Sequence, residues 1–131
     1  MTPRDLANRF LVKAAQDEAL VDRVLGDSDI ADDLIGFHLQ QAAEKLMKAV
    51  LAAHAVEFRR THDLIDLADV LTEAGFSPPS ETRGLDALNP FAVEARYDFL
   101  PPSSAPLDRL AARSQIRSLR VWAETLVERV A

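Results

Sequence analysis

The residues best suited to chemistry stand in the stretch EFRRTHDLIDL, Glu57 to Leu67. Arg59 and Arg60 run directly into Thr61, His62 and Asp63. An imidazole titrates near neutrality, so His62 with an adjacent carboxylate suits acid–base work. An arginine such as Arg60 suits bidentate binding of a phosphate. The same residues also read as the start of a helix, with Thr61 as its cap and Asp63 in the first turn, where the helix dipole favours a negative charge. In that reading His62 is a buried hydrogen-bonding residue tying helices together. The cluster is thus a helix joint that also has the makings of an anion site.

Two further sets carry charge at helical spacing. His38, Gln41, Lys45 and Lys48 share one stripe of a helix, away from its apolar face, with Glu44 beside them. They suit a solvated face, with Glu44 and Lys48 as an i,i+4 pair, or polar contacts to a partner. Arg109, Arg113, Arg117 and Arg120 recur along the last helix at steps of four, four and three and are continued by Glu124. They suit a phosphate-bearing ligand or an acidic partner, or else cover apolar surface with their stems. Arg96 and Tyr97 could anchor a helix end or stack on a base. Three histidines at unrelated spacings make no metal shell, and four glycines build no phosphate loop. No metal or cofactor is implied.

The elements that must position these groups are helical. Thr2 and Pro3 start a first helix that runs to Gly26. Ser28 or Asp29 caps a second, from about Ile30 to Ala55, with Ile35, Leu39, Ala43, Leu46 and Val50 as its apolar stripe. Thr61 caps a third, with Leu64, Leu67, Ala68 and Leu71 inward, and Gly75 ends it. Between the breaks SPPS and LPPSSAP lies a shorter helical segment, Leu85 to Phe99, which Asn89-Pro90 starts or bends. The last helix runs from about Pro106 to Val130, with Ala112, Ile116, Leu119, Ala123, Leu126 and Val130 as its core stripe. Short connections predict an all-α, up-and-down antiparallel bundle of four long helices plus one shorter segment, residues 1–131 as a single domain.

Composition narrows the classes. The chain has 131 residues, 48% hydrophobic and 27% charged, enough to bury a real core. A net charge of −6 argues against broad charge-driven binding to nucleic acid or acidic membranes. There is no cysteine, hence no disulfide, thiolate metal site or cysteine nucleophile. No apolar run spans a bilayer and the N-terminus lacks the apolar core of a signal peptide, so a cytoplasmic protein is expected.

FHLQQAAEKLMKAVL (Phe37 to Leu51), RTHDL (Arg60 to Leu64) and ARYD (Ala95 to Asp98) occur in that order. Together they resemble the HEPN family, the higher eukaryotes and prokaryotes nucleotide-binding domain. Members often read Ala-Arg-Tyr-Pro-Asp where Asp98 here follows Tyr97 directly. The resemblance implies a helical bundle that commonly dimerises, often paired with a minimal nucleotidyltransferase in toxin–antitoxin fashion. Many members are metal-independent ribonucleases in which an arginine precedes a histidine with four to six residues between. His38, His54 and His62 lack an arginine at that spacing. The chain is therefore expected to be a non-nucleolytic binding module with no catalytic residues, probing a nucleotide or RNA through Arg60, His62, Asp63, Gln41, Lys45, Lys48, Arg96 and Tyr97. The rival class is a metal-independent ribonuclease using His62 with a nearby arginine, and Phe37, on the polar side of its helix, is the candidate dimer anchor.

Overall fold

The computed structural model describes residues 1–92 and 106–130. Helix α1 spans Pro3–Val24, α2 Asp32–Ala53, α3 Leu64–Glu73 and α4 Arg109–Glu128. Short 3-10 turns at Ser80–Thr82 and Leu85–Leu88 lead into a helical stretch at residues 89–92. No strand occurs among the described residues, and none of their helices is long and apolar enough to cross a membrane. The all-helical bundle is the one expected, with shorter ends at α2 and α4.

Local chemistry explains the boundaries. Thr2 and Asp5 form a reciprocal capping box ahead of Pro3, satisfying two N–H groups that the first turn cannot. Ser28 and Asp29 lie in a turn instead of capping α2, with the Asp29 N–H donating to Asp27 Oδ1 at 2.9 Å. The N-cap of α2 is Ala31, which has no side-chain acceptor, and Asp32 and Asp33 in its first turn answer the helix dipole. Asp108 caps α4, accepting from the Ala111 N–H at 3.1 Å. Gly75, at φ 92°, ends α3: its N–H reaches the Thr72 carbonyl and that of Phe76 the Leu71 carbonyl.

The same closing turn ends α2, but with Ala55 in the left-handed position at φ 54°. The Ala55 N–H reaches the Ala52 carbonyl and the Val56 N–H that of Leu51. From there the chain does not enter the next helix at once. Residues 55–63 climb back along α2 as an extended strap. Phe58 lies under Lys48, 5.9 Å from Nζ to ring centroid, and His62 reaches Glu44. Helix α3 then leads from this level toward His54, whose ring lies 4.5 Å from that of Phe76. So α2 and α3 run in the same sense, and alternation holds for α1 against α2 and α4. The third helix has only 10 residues because the strap uses the chain its first turn would have taken.

The core sits where α1, α2 and α4 meet, with α3 and the 3-10 turn Leu85–Leu88 over α2 and the turn Ser80–Thr82 against α4. Leu39, Leu46, Val50, Leu67, Leu71, Ile116 and Leu119 are buried, while Leu126 is only partly so. At one end Ala7, Ala49, Ala52 and Ala53 let the helices approach closely around Val127. Gly36 serves the same purpose: a Cβ there would stand 2.5 Å from the Phe91 ring. The register is antiparallel for α1 and α2, since Ala7 lies near Ala53 while Asp17 faces His38 and Lys45.

Two outcomes follow. Leu46 is fully buried, and its replacement by alanine should cost about 2–5 kcal/mol in denaturant unfolding. Ala55→Gly should stabilise the fold. Relief of a left-handed alanine is worth about 1–2 kcal/mol. Glycine's extra freedom in the unfolded chain returns about 0.4–1 kcal/mol of that. A net gain of about 0.5–1 kcal/mol, read as a raised denaturant midpoint, is expected; a loss would contradict the turn geometry.

Candidate functional site

The strap places His62 against α2, and the contact is built around Glu44. The Glu44 carboxylate is buried, with only 6% of its side chain exposed, so each oxygen needs a donor. His62 Nδ1 lies 2.8 Å from Glu44 Oε1, and Lys48 Nζ donates to Oε2 at 3.1 Å. Gln40 Nε2, wholly buried, donates to the His62 backbone carbonyl at 2.8 Å and lies 3.5 Å from Glu44 Oε1. Gln41 closes the chain by donating to Gln40 Oε1 at 2.8 Å. With a carboxylate at Nδ1, that nitrogen carries the proton and Nε2 is left on the open side of the ring.

His62 is therefore not the buried tie that a helix joint suggested; its side chain is 63% exposed. Thr61 does not cap α3. Asp63 does, accepting from the Ile65 N–H at 2.8 Å, while Thr61 Oγ1 accepts from the Asp63 N–H at 3.0 Å. Asn89 completes the start of α3: its Oδ1 accepts from the Leu64 N–H and its Nδ2 donates to Asp63 Oδ1, both at 2.9 Å. Arg59 pairs with Asp66, and that guanidinium, before Thr61, holds the Asp66 carboxyl below its usual range. Arg60 is exposed and makes no hydrogen bond or ion pair among the described residues.

The polar stripe of α2 is not a solvated face. Lys48 keeps only 11% of its side-chain surface. His38 and Lys45 turn the other way, toward α1, where Asp17 receives both: Oδ1 lies 2.9 Å from His38 Nδ1 and Oδ2 accepts from Lys45 Nζ at 2.6 Å. The expected ligand set thus divides. Arg60, His62, Asp63 and Lys48 gather at the strap, with Gln41 joined through Gln40, and Lys45 belongs to the α1 contact. Arg96 and Tyr97 lie outside the described residues. Phe37 is partly buried and meets the His38 ring edge-on at 5.1 Å.

The arginines of α4 have acidic partners within the chain. Arg109 donates to Asp32 at 2.8 Å and to the carbonyls of Leu25 and Asp27. Arg113, buried, grips Asp22 through Nε at 2.6 Å and Nη2 at 2.9 Å, and reaches Glu18 at 3.2 Å. Arg120 Nε donates to Glu18 at 2.8 Å and its Nη1 to Glu124 at 2.8 Å. Arg117 is 59% exposed and only 3.7 Å from Asp22. The basic stripe is mostly the seam between α4 and α1, and its acidic partner is helix α1 itself.

Chemically, the strap offers an imidazole oriented by a buried carboxylate and a free guanidinium two residues away. Such a pair can accept or donate a proton and hold an anion. No group of residues that could hold a metal ion occurs among the described residues. Sequence reasoning passed over Glu44 as the hub, and over Gln40 and Asn89. The available signal was the run Gln40, Glu44 and Lys48, three polar residues each one turn apart along α2.

The family model described as "HEPN domain" matches residues 25–130 of the chain. No curated protein and no solved structure matches it.

The α1–α4 seam yields a stability prediction. Arg113→Ala strands Glu18 as a buried, half-compensated charge and should cost about 3–5 kcal/mol in urea unfolding at neutral pH. The Arg113 hydrogen bond holds the Asp22 carboxyl below the usual carboxylate range. A depressed aspartate stabilises the fold above its unfolded pKa, and that contribution is lost as pH falls through the lower folded value. Acid titration of stability should therefore show a loss below about pH 4 that Asp22→Asn makes shallower, the share left belonging to other lowered carboxyls such as Asp66; an unchanged acid limb would refute the pairing.

Proposed function

The chain belongs to the HEPN domain family, and from that premise we propose that it is a non-nucleolytic, cytoplasmic binding module that holds a nucleotide or RNA phosphate at the strap. The observations that carry this reading are that Arg60, exposed and uncommitted, stands two residues from His62 on the strap, and that Glu44 orients the His62 ring. A phosphate between them would meet a guanidinium fork and an imidazole nitrogen, with the Lys48 charge behind. Arg109, Arg113 and Arg120 of the last helix are neutralised within the fold and do not compete for it.

Family membership adds a proposed assembly. HEPN domains often dimerise, and we read this chain as one subunit of a homodimer that associates with a minimal nucleotidyltransferase-type protein, in a toxin–antitoxin-type pair. The arginine–histidine spacing of the family's ribonucleases is missing, and Arg60 stands on the strap next but one to His62 instead of a helical turn away. Transition-state charge on a cleaving phosphate would need a preorganised donor in register with the base. One observation favours the second reading, a metal-independent ribonuclease: a buried carboxylate behind an exposed imidazole is an arrangement that suits a general base.

The experiment separates the two. Wild type and His62→Ala are assayed on single-stranded and structured RNA with metal chelated. No cleavage is expected, with nucleotide binding weakened about tenfold by Arg60→Ala, a loss of roughly 1.4 kcal/mol for one charged contact. Cleavage by wild type that disappears in His62→Ala would install the ribonuclease reading instead. Arg60 is exposed and unpaired, so Arg60→Ala should keep the wild-type stability within about 0.5 kcal/mol, whereas His62→Ala takes a donor from the buried Glu44 carboxylate and should cost about 1–3 kcal/mol while leaving the helices folded.

A further inference from the structure

Helices α1 and α2 leave a cavity of about 150 Å³ open beside the turn that joins them. Leu20, Val24, Ile30 and Leu34 line it, with His38 beyond. It is too small for an ordinary ligand site, which runs to about 300–1,000 Å³, and suits a single aliphatic side chain. Leu20 is 44% exposed and Leu34 56%, so two leucines on neighbouring helices present apolar surface to water here. Neither contributes to the core in proportion to its size.

The charge around this cavity is one-sided. Asp27, Asp29 and Asp33 flank its lining residues in sequence, and none of them joins an ion pair among the described residues. One Asp27 oxygen closes the local turn on the Asp29 N–H. The other acids of this end are spoken for: Asp17 by His38 and Lys45, Glu18 and Asp22 by Arg113, and Asp32 by Arg109. Against the three free carboxylates stands one exposed guanidinium without an ion pair, Arg23.

We propose that this corner is a docking surface for a basic amphipathic helix of a partner protein. The helix would seat one aliphatic side chain between Leu20 and Leu34 and lay lysines or arginines against Asp27, Asp29 and Asp33. Apolar anchors in small pockets supply most of the energy of such contacts, and the charged rim supplies orientation and rate. Charge complementarity argues against a nucleic acid or an anionic membrane. The proposal is independent of the strap and of what binds there.

The test uses the full chain and a labelled synthetic helix with leucine on one face and lysine on the other, followed by fluorescence anisotropy. Leu34→Ser should weaken binding about tenfold, as loss of one anchor contact does. The triple variant Asp27→Asn, Asp29→Asn, Asp33→Asn should weaken it comparably and flatten its salt dependence. Val121→Ser, which changes an equally exposed residue on α4, should leave binding unaltered. Circular dichroism checks that each variant is folded. Equal binding by Leu34→Ser, or equal binding of a leucine–glutamate helix, would overturn the proposal. Loss of self-association in Leu34→Ser, with the synthetic helix unbound, would assign the corner to a second copy and overturn it too.

Discussion

A carboxylate withdrawn from water costs several kcal/mol unless donors meet it, and Glu44 sits deep enough on α2 for that cost to apply. Its own helix supplies Lys48 and, more distantly, Gln40. The remaining donor has to come from elsewhere in the chain, and it is His62. That requirement draws residues 55–63 back along α2. It brings the His62 carbonyl to Gln40, sets the level at which α3 can begin, and leaves Asp63 and Asn89 to finish the cap. The exposed edge of His62 and the free Arg60 beside it are consequences of how one buried charge was satisfied.

The seam between α1 and α4 solves a related problem with the opposite result. Glu18 and Arg113 are both buried, and each has a second partner, Arg120 for the acid and Asp22 for the base. A stripe of arginines on an acidic protein is thereby spent on holding two helices together. Charge that is already neutralised at contact distance projects little field, so the stripe offers little to a polyanion. Arg60 has no such partner, and its place two residues from the oriented His62 is what distinguishes the proposed anion site.

Much of the frame was legible because it rests on local chemistry. Thr2-Pro3 and Gly75 marked helix ends through capping geometry, and the α2 stripe from Ile35 to Val50 marked a buried face through its period. The strap was not legible in the same way. Thr61 and Asp63 are both good caps two residues apart, and only contacts with Gln40 and Asn89, far away in sequence, choose between them. Alternation in Val56, Glu57, Phe58 and Arg59 was the local hint of extended chain, since Val56 and Phe58 are half-buried and Glu57 and Arg59 exposed. The arginine stripe was read correctly as periodic, but its partners lie roughly ninety residues upstream, where no local pattern reaches.

The strap is tied down by side chains and by a carbonyl, not by its own amides. Among the described residues the N–H groups from Glu57 to His62 donate to no other protein group. Detaching residues 57–62 alone would break the His62 contacts to Glu44 and Gln40 and the Arg59 and Thr61 contacts to Asp66, and uncover Phe58, while the Asp63 cap and the closing turn of α2 lie outside that stretch. The free energy of that opening is bounded by those few contacts and lies below that of global unfolding. The fold therefore contains two grades of order: three long helices that melt together, and a ribbon bearing His62 and Arg60 that can lift and reseat while they stay intact.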